Sequence, residues 1–417
     1  MPLIYDLVTG AYHVGIRMAA PFVPKAREWV QGRKGIWERF QEKSEALNGC
    51  IWMHCASVGE CEQGLPVLRA LVERSPGTPV LLTFHSPSGF KAFKDHPLAT
   101  HVDYLPPDGP GNAHRMIRMV RPGKVLFVRY EFWYHFLNAL SLAEVPSYLV
   151  SSNFRADQPF FAWYGATWRR MLRCFTHLFV QDERSAQLLG SIGLKNVTIC
   201  GDSRMDRVSE LVDRNEALPA AARFRALVNA PLLVCGSTWP PDDDLIVDAL
   251  GRMDQPPSVL IAPHEPSSEG ELEIERSFPG PLVRWSALEQ EALSPPEGAR
   301  TCLLDRMGTL SRVYKYADIA YVGGGFSGGI HSVLEPAAWG RPVIFGPEHQ
   351  KFPEAKGLIE AGGGFQVTDA DELLEVLSTL VADTVLREQA GHAARMFVVE
   401  RTGAAERMAH VIYGDHI

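Results

Sequence analysis

Residues 323–336 read GGGFSGGIHSVLEP. Five of the first seven are glycine, and the apolar run IAYV (319–322) leads into them. A segment with a helical pattern follows, carrying one acid, Glu335. Strand, glycine turn and helix in that order make the junction where parallel sheets bind ligands. The stretch therefore places a doubly wound α/β domain in the second half of the chain, and predicts that something approaches this backbone closely. The spacing is not GxGxxG, and the turn comes late rather than in the first βα unit. Both facts argue against a dinucleotide dehydrogenase. No GK[ST] occurs, so it is not a Walker A loop either.

Outward from that turn, short apolar runs alternate with helix-length segments. The first series is 50–55, 80–84, 124–130, 147–150, 178–181 and 197–200. The second is 232–236, 258–262, 299–304, 319–323 and 342–345. Between them lies a polar, helix-prone segment, 203–229, and a last helical stretch covers 383–411. Two series of this kind predict two Rossmann-like domains with parallel sheets. The expected division is 1–43, a membrane-proximal basic segment within the N-terminal domain, then 44–212 and 213–417. The last helix is a candidate to pack back on the first domain. SPPEG (294–298) reads as a turn.

The bulk numbers agree. A chain of 417 residues exceeds one typical core. A net charge of −8 argues against general nucleic-acid binding. No apolar run is long enough to cross a bilayer. The start lacks the features of a secretory signal. Seven cysteines, at 50, 55, 61, 174, 200, 235 and 302, include no CxxC pair. That argues against a disulfide framework or a structural zinc site and for a reducing compartment. The first 36 residues depart from the average: Arg17, Lys25, Arg27, Arg33 and Lys34 face only Asp6 and Glu28, giving +3. With Leu3, Ile4, Leu7, Val8, Tyr12, Ile16 and Met18 before the basic cluster, this reads either as an interfacial helix on anionic lipid or as a surface helix packed on its own domain.

Strand-to-helix junctions carry the remaining candidates. In WMHCASVGECEQG (52–64), Glu60 opens a helix and reads either as a capping carboxylate or as a general base. In LLTFHSPSGFK (81–91), Ser86, Ser88 and Gly89 read as an N-cap or an anion site. In IAPHEPSS (261–268), His264 suits a phosphate contact or a surface position. PPDDD (240–244) reads as acids complementing a helix dipole, not as a metal site.

These turns together resemble the 3-deoxy-D-manno-octulosonic acid (Kdo) transferases of lipid A assembly, which are GT-B glycosyltransferases. The resemblance rests on GRKGIWERF (32–40), MHCASVGE (53–60), TFHSPSG (83–89), YEFWYHFL (130–137), SSNFR (151–155), QDERSAQLLGSIG (181–193), CGDSRMDR (200–207), GSTW (236–239) and, most specifically, 323–355. It implies an α/β GT-B fold, two Rossmann-like domains facing each other across a cleft. It implies Glu60 as catalytic base. Donor contacts would come from Ser237, Thr238, His264, Glu265, Gly325, Phe326, Ser327, Gly328, Gly329, His331, Ser332 and Glu335, with Glu335 on the ribose of CMP-Kdo. Acceptor contacts would come from Ser86, Ser88, Gly89, Glu131, Asn153 and Arg155. It further implies inverting transfer to a lipid A precursor, lipid IVA, without metal or cofactor. The N-terminal segment would meet the cytoplasmic face of the bacterial inner membrane. Three positions depart from the family pattern: Pro263-His264-Glu265 replaces Pro-Arg-His, Ser332 replaces Asn, and Gly328-Gly329-Ile330-His331 shifts the glycine register. Competing readings are another GT-B enzyme, such as a lipid A disaccharide synthase or a UDP-sugar transferase. Others are a UDP-sugar 2-epimerase using His54, His85, His264 and His331, and a non-catalytic nucleotide-binding or membrane-scaffold protein.

Overall fold

The computed structural model describes residues 2–265, 268–278, 280–290 and 296–414. Pro266, Ser267, Ser294, Pro295 and the side chains of Leu3 and Ile4, which the sequence reading used, lie outside what is described. The chain divides into two compact units, 1–207 with 402–417, and 208–401. The division thus falls at 207/208 rather than at 212/213.

The first unit is built on seven strands: β1 (Ile51–Cys55), β2 (Val80–Phe84), β3 (His101–Tyr104), β4 (Lys124–Val128), β5 (Ser147–Ser152), β6 (His177–Val180) and β7 (Val197–Ile199). Their order is β3-β2-β1-β4-β5-β6-β7, and every pairing is parallel. β1 shows why the sheet needs cover on both sides. Trp52 enters one core with Phe127 and Phe136, while Ile51, Met53 and Cys55 enter another. The period-two alternation of a strand sends both sets inward, so both faces are apolar. Helix Ala404–Tyr413 covers the second face with Ala404, Met408 and Ile412. It is tied there by Arg407, which donates from Nε and Nη2 to the Cys200 carbonyl at 3.0 and 2.6 Å, and by Tyr413 Oη, which donates to the Leu71 carbonyl at 3.0 Å. The long helix expected over 383–411 is in fact two, Thr384–Val399 and Ala404–Tyr413, broken at left-handed Gly403 (φ 89°).

The second unit repeats the plan with β8 (Leu232–Thr238), β9 (Ser258–Pro263), β10 (Leu282–Arg284), β11 (Thr301–Leu303), β12 (Ile319–Val322), β13 (Val343–Phe345) and β14 (Gly364–Gln366). The order is β10-β11-β9-β8-β12-β13-β14, again all parallel. Two mostly parallel doubly wound sheets are the GT-B arrangement. The polar segment 203–229 is two helices, Ser203–Arg214 and Pro219–Leu227. All seven cysteines are free thiols. No helix of the described residues is long and apolar enough to cross a membrane.

Candidate active site

In the first unit, β1 ends at Cys55 and Ser57 leads into helix Val58–Arg74. Glu60 sits at its third position. Ser57 donates to Glu60 Oε2 from its backbone N–H (2.9 Å) and from its hydroxyl (3.1 Å). This is the acid half of a capping box. Both bonds fall on one oxygen, which leaves Oε1 for chemistry. The two readings of Glu60 are therefore compatible: one oxygen caps, and the other takes no hydrogen bond from the described residues. Burial pushes the Glu60 carboxyl above its ordinary value, the Glu131 charge adds to the rise, and the Ser57 bonds and His54 temper it.

Glu131 lies just beyond β4 and is 6% exposed. Trp133 Nε1 donates to its Oε2 at 2.6 Å. His54 Nε2 stands 3.1 Å from the same oxygen, an electrostatic contact off the ring's hydrogen-bonding axis. His54 Nδ1 lies 2.9 Å from the Thr83 hydroxyl and 3.0 Å from the Thr83 carbonyl oxygen. The structure thus gathers Glu60, Glu131, His54 and Trp133 at the carboxyl ends of β1 and β4. Trp133 and Thr83 were missed by the sequence reading. An aromatic run such as YEFWYHFL gives no sign of which ring turns toward an acid.

The other acceptor candidates are placed less directly. Ser86 caps helix Pro87–Phe93 by accepting from Gly89 N–H (3.1 Å), and Ser88 donates to Ser86 at 3.3 Å. Asn153 is engaged with Asp182 (2.9 Å) and Gln181 (3.3 Å). Arg155 is exposed, with only a loose pairing to Asp157 at 3.6 Å.

In the second unit, the glycine turn follows β12. A Cβ on Gly323 would lie 2.5 Å from the Ser237 carbonyl oxygen, and one on Gly325 2.5 Å from Gly346 Cα. What a side chain at these two glycines would strike is the protein's own backbone. The N–H groups of Ser327 and Gly329 donate to Gly324, His331 to Gly323, Gly328 to the Glu348 side chain and Ile330 to its carbonyl. The expected helix at 331–332 starts only at Leu334 and runs five residues to Ala338. Ser327, Gly328 and Ser332 are exposed, Phe326, Gly329, His331 and Glu335 half-buried. Gly323→Ala should therefore lower stability by about 1–3 kcal/mol through overpacking. Thermal unfolding without ligand checks this. An unchanged midpoint with weakened nucleotide binding would instead mean that the glycine serves the ligand.

Opposite the turn, Ser237 sits in the left-handed region (φ 54°) at the end of β8, and Thr238 is 2% exposed. His264, after β9, stacks between Trp239 (centroids 4.8 Å) and His331 (4.3 Å). Trp239 Nε1 donates to His331 Nε2 at 3.3 Å, so His331 keeps its proton on Nδ1. Burial, then the neighbouring His264, lowers the His331 pKa, making it a neutral donor rather than a cation. Glu265 is exposed.

The acids at 242–244 do more than offset a helix dipole. Asp242 is fully buried and accepts from Trp239 N–H (2.9 Å), Gly324 N–H (2.9 Å) and Tyr321 Oη (2.8 Å). It clamps the β8 turn to the glycine turn. Asp243 is pushed up to about 7, chiefly by burial, with Asp242, Asp244 and Glu273 adding to the rise and Thr238 tempering it. The unfolded carboxyl ionises near its ordinary value, the folded one only near 7. Stability therefore falls as pH rises through that interval and is flat above it. Asp243→Asn should gain about 1–3 kcal/mol over the parent at pH 8 and nothing at pH 3, read by denaturant unfolding.

Comparison with known proteins follows the same lines. Residues 33–207 match the family described as 3-deoxy-D-manno-octulosonic-acid transferase (kdotransferase). The 3-deoxy-D-manno-octulosonic acid transferase of Bordetella pertussis is 27% identical over 95% of this chain and 97% of its own length. That of Haemophilus influenzae is 28% identical over 87% of this chain and 86% of its own. Among solved structures, UDP-GlcNAc 2-epimerase from Neisseria meningitidis aligns with 87% of this chain and 99% of its own, at TM-score 0.62 and 14% identity. That likeness concerns the fold alone.

Proposed function

The chain is a relative of the Kdo transferases along nearly its whole length, and from that premise we propose that it transfers Kdo from CMP-Kdo to a hydroxyl of a lipid A precursor such as lipid IVA. The observation that carries this reading is Glu60: a carboxyl with raised affinity for a proton, capped through one oxygen, with no hydrogen bond from the described residues on the other. Glu60 Oε1 takes the proton of the acceptor hydroxyl. The freed oxygen bonds to the anomeric carbon of Kdo, the bond to the CMP phosphate breaks, and CMP leaves with that electron pair. Attack from the face opposite the leaving group inverts the centre. The departing CMP carries one phosphate, so the charge to be met is small. Neutral donors such as His331 Nδ1 suit it without a metal. Glu335 holds the ribose.

A lipid acceptor requires a surface contact, and helix Pro2–Ala19 supplies one. It is held to its own unit by Tyr5 Oη donating to Asp108 (2.6 Å) and by Asp6 against His135 (2.5 Å). Its apolar side chains are left outside: Leu7 is 72% exposed, Met18 71%, and Phe22 in the following turn 85%. A helix packed by its polar side with its apolar side in water fits the interfacial reading better than the packed one.

Calorimetric binding of nucleotides to the purified chain tests the donor assignment. CMP should bind, EDTA should leave its affinity unchanged, and UDP should bind more weakly. Preference for UDP would move the function toward UDP-sugar chemistry.

A further inference from the structure

Trp163 is 91% exposed, Tyr164 58% and Trp168 36%. They stand on the turn after β5 and on helix Ala166–Leu172, which follows it. The turn is built, not loose. Phe161 N–H donates to the Gln158 carbonyl (3.1 Å), Ala162 to Pro159 (3.3 Å) and Gly165 to Ala162 (3.0 Å). Arg169 Nη1 donates to the carbonyls of Phe160 and Ala162, each at 3.0 Å. A Cβ at Gly165 would strike the Pro159 carbonyl. Phe160, 3% exposed, anchors the turn from beneath against Phe132 (centroids 4.8 Å) and Phe154 (5.7 Å). The protein thus spends a rigid turn to hold large aromatic rings in water.

The surroundings say what those rings fit. Arg170 and Arg173 are exposed beside them. Residues 153–175 hold Arg155, Arg169, Arg170 and Arg173 against Asp157 alone, +3 in a chain of −8. Tryptophan, tyrosine and arginine together are enriched at protein-binding hot spots and also at the bilayer interface, where amphipathic rings sit at headgroup level and cations meet anionic lipid. Position selects the bilayer. The turn leaves the carboxyl end of β5. Helix Pro2–Ala19 touches His85, Asp108 and His135, which follow the carboxyl ends of β2, β3 and β4. All these strands are parallel, so both surfaces rise from the same edge of the first unit's sheet.

We infer that the Trp163–Arg173 surface is a second lipid contact, engaging the anionic headgroup region alongside the N-terminal helix. It rests on the proposed reading only for the first contact. One helix leaves a domain free to roll about its axis, and a second contact fixes the roll.

Co-sedimentation of the full chain with phosphatidylcholine vesicles, with and without phosphatidylglycerol, tests this. Trp163→Ala/Tyr164→Ala should reduce partition onto phosphatidylglycerol vesicles roughly tenfold, and Arg170→Glu/Arg173→Glu by at least about fivefold per charge. Partition onto phosphatidylcholine alone should be unaffected by the arginine pair. Thermal unfolding and CMP binding should match the parent. Met18→Glu/Phe22→Glu reports on the helix separately. If that pair releases the chain while the turn variants partition as the parent, the inference is overturned and the helix alone anchors. If only the turn variants release it, the inference stands and the helix reading fails. Unchanged partition with loss of a dimer by light scattering in the turn variants would assign the surface to a second copy and overturn the inference.

Discussion

Glu60→Gln should lower transfer by roughly 10²–10⁴-fold while leaving the unfolding temperature and CMP affinity near those of the parent. Glutamine is the substitution that separates the two roles of this residue. A capping box accepts Gln as well as Glu at its third position, because the amide oxygen still receives the Ser57 N–H. What Gln cannot do is take a proton. Glu60→Ala removes both roles, adding a stability cost of about 0.5–2 kcal/mol. If Glu60→Gln transfers at the parental rate, the carboxyl is only a cap. If Glu60→Ala unfolds while Glu60→Gln keeps both its fold and its transfer rate, the cap accounts for the residue.

The second large effect is expected at Glu131. Its charge, after burial, is what holds the Glu60 proton on. The parent's kcat/KM should rise with pH as Glu60 loses that proton. Glu131→Gln removes the charge, so the Glu60 pKa falls and the acid limb of the profile moves to lower pH. A weaker base abstracts less well, and the plateau should drop roughly tenfold or more. Trp133 Nε1 and His54 would then face a neutral amide. A limb that stays in place, with an intact fold, would show that the two carboxyls do not communicate.

How far the sequence reached can be judged from particular segments. The central strands were legible because both faces of a parallel sheet are buried, which writes them as unbroken apolar runs. The missed strands are β3, β10 and β14, each an edge. Edges carry polar residues, as in HVDY, LVR and GFQ, and are too short for a pattern to show. The glycine turn was found, but not what crowds it. A sequence shows that a side chain is excluded, not what excludes it, and at Gly323 and Gly325 the excluder is the chain itself. Asp242 read as one of three acids complementing a helix dipole, yet it is the buried clamp between two turns, a contact 82 residues apart that no local pattern encodes. Glu60 and Glu131 were both singled out. That Glu131 acts on the charge of Glu60 emerged only from the packing of β1 beside β4.

The proposed transfer of Kdo onto a lipid A precursor can be read directly. The most direct measurement incubates the purified protein with CMP-Kdo generated in situ and lipid IVA, with EDTA present, and reads the lipid by mass spectrometry. The product should be heavier by whole Kdo residues, formed despite the chelator and strongly reduced with Glu60→Gln. Unmodified lipid, from folded protein that binds CMP, would contradict the proposed transfer.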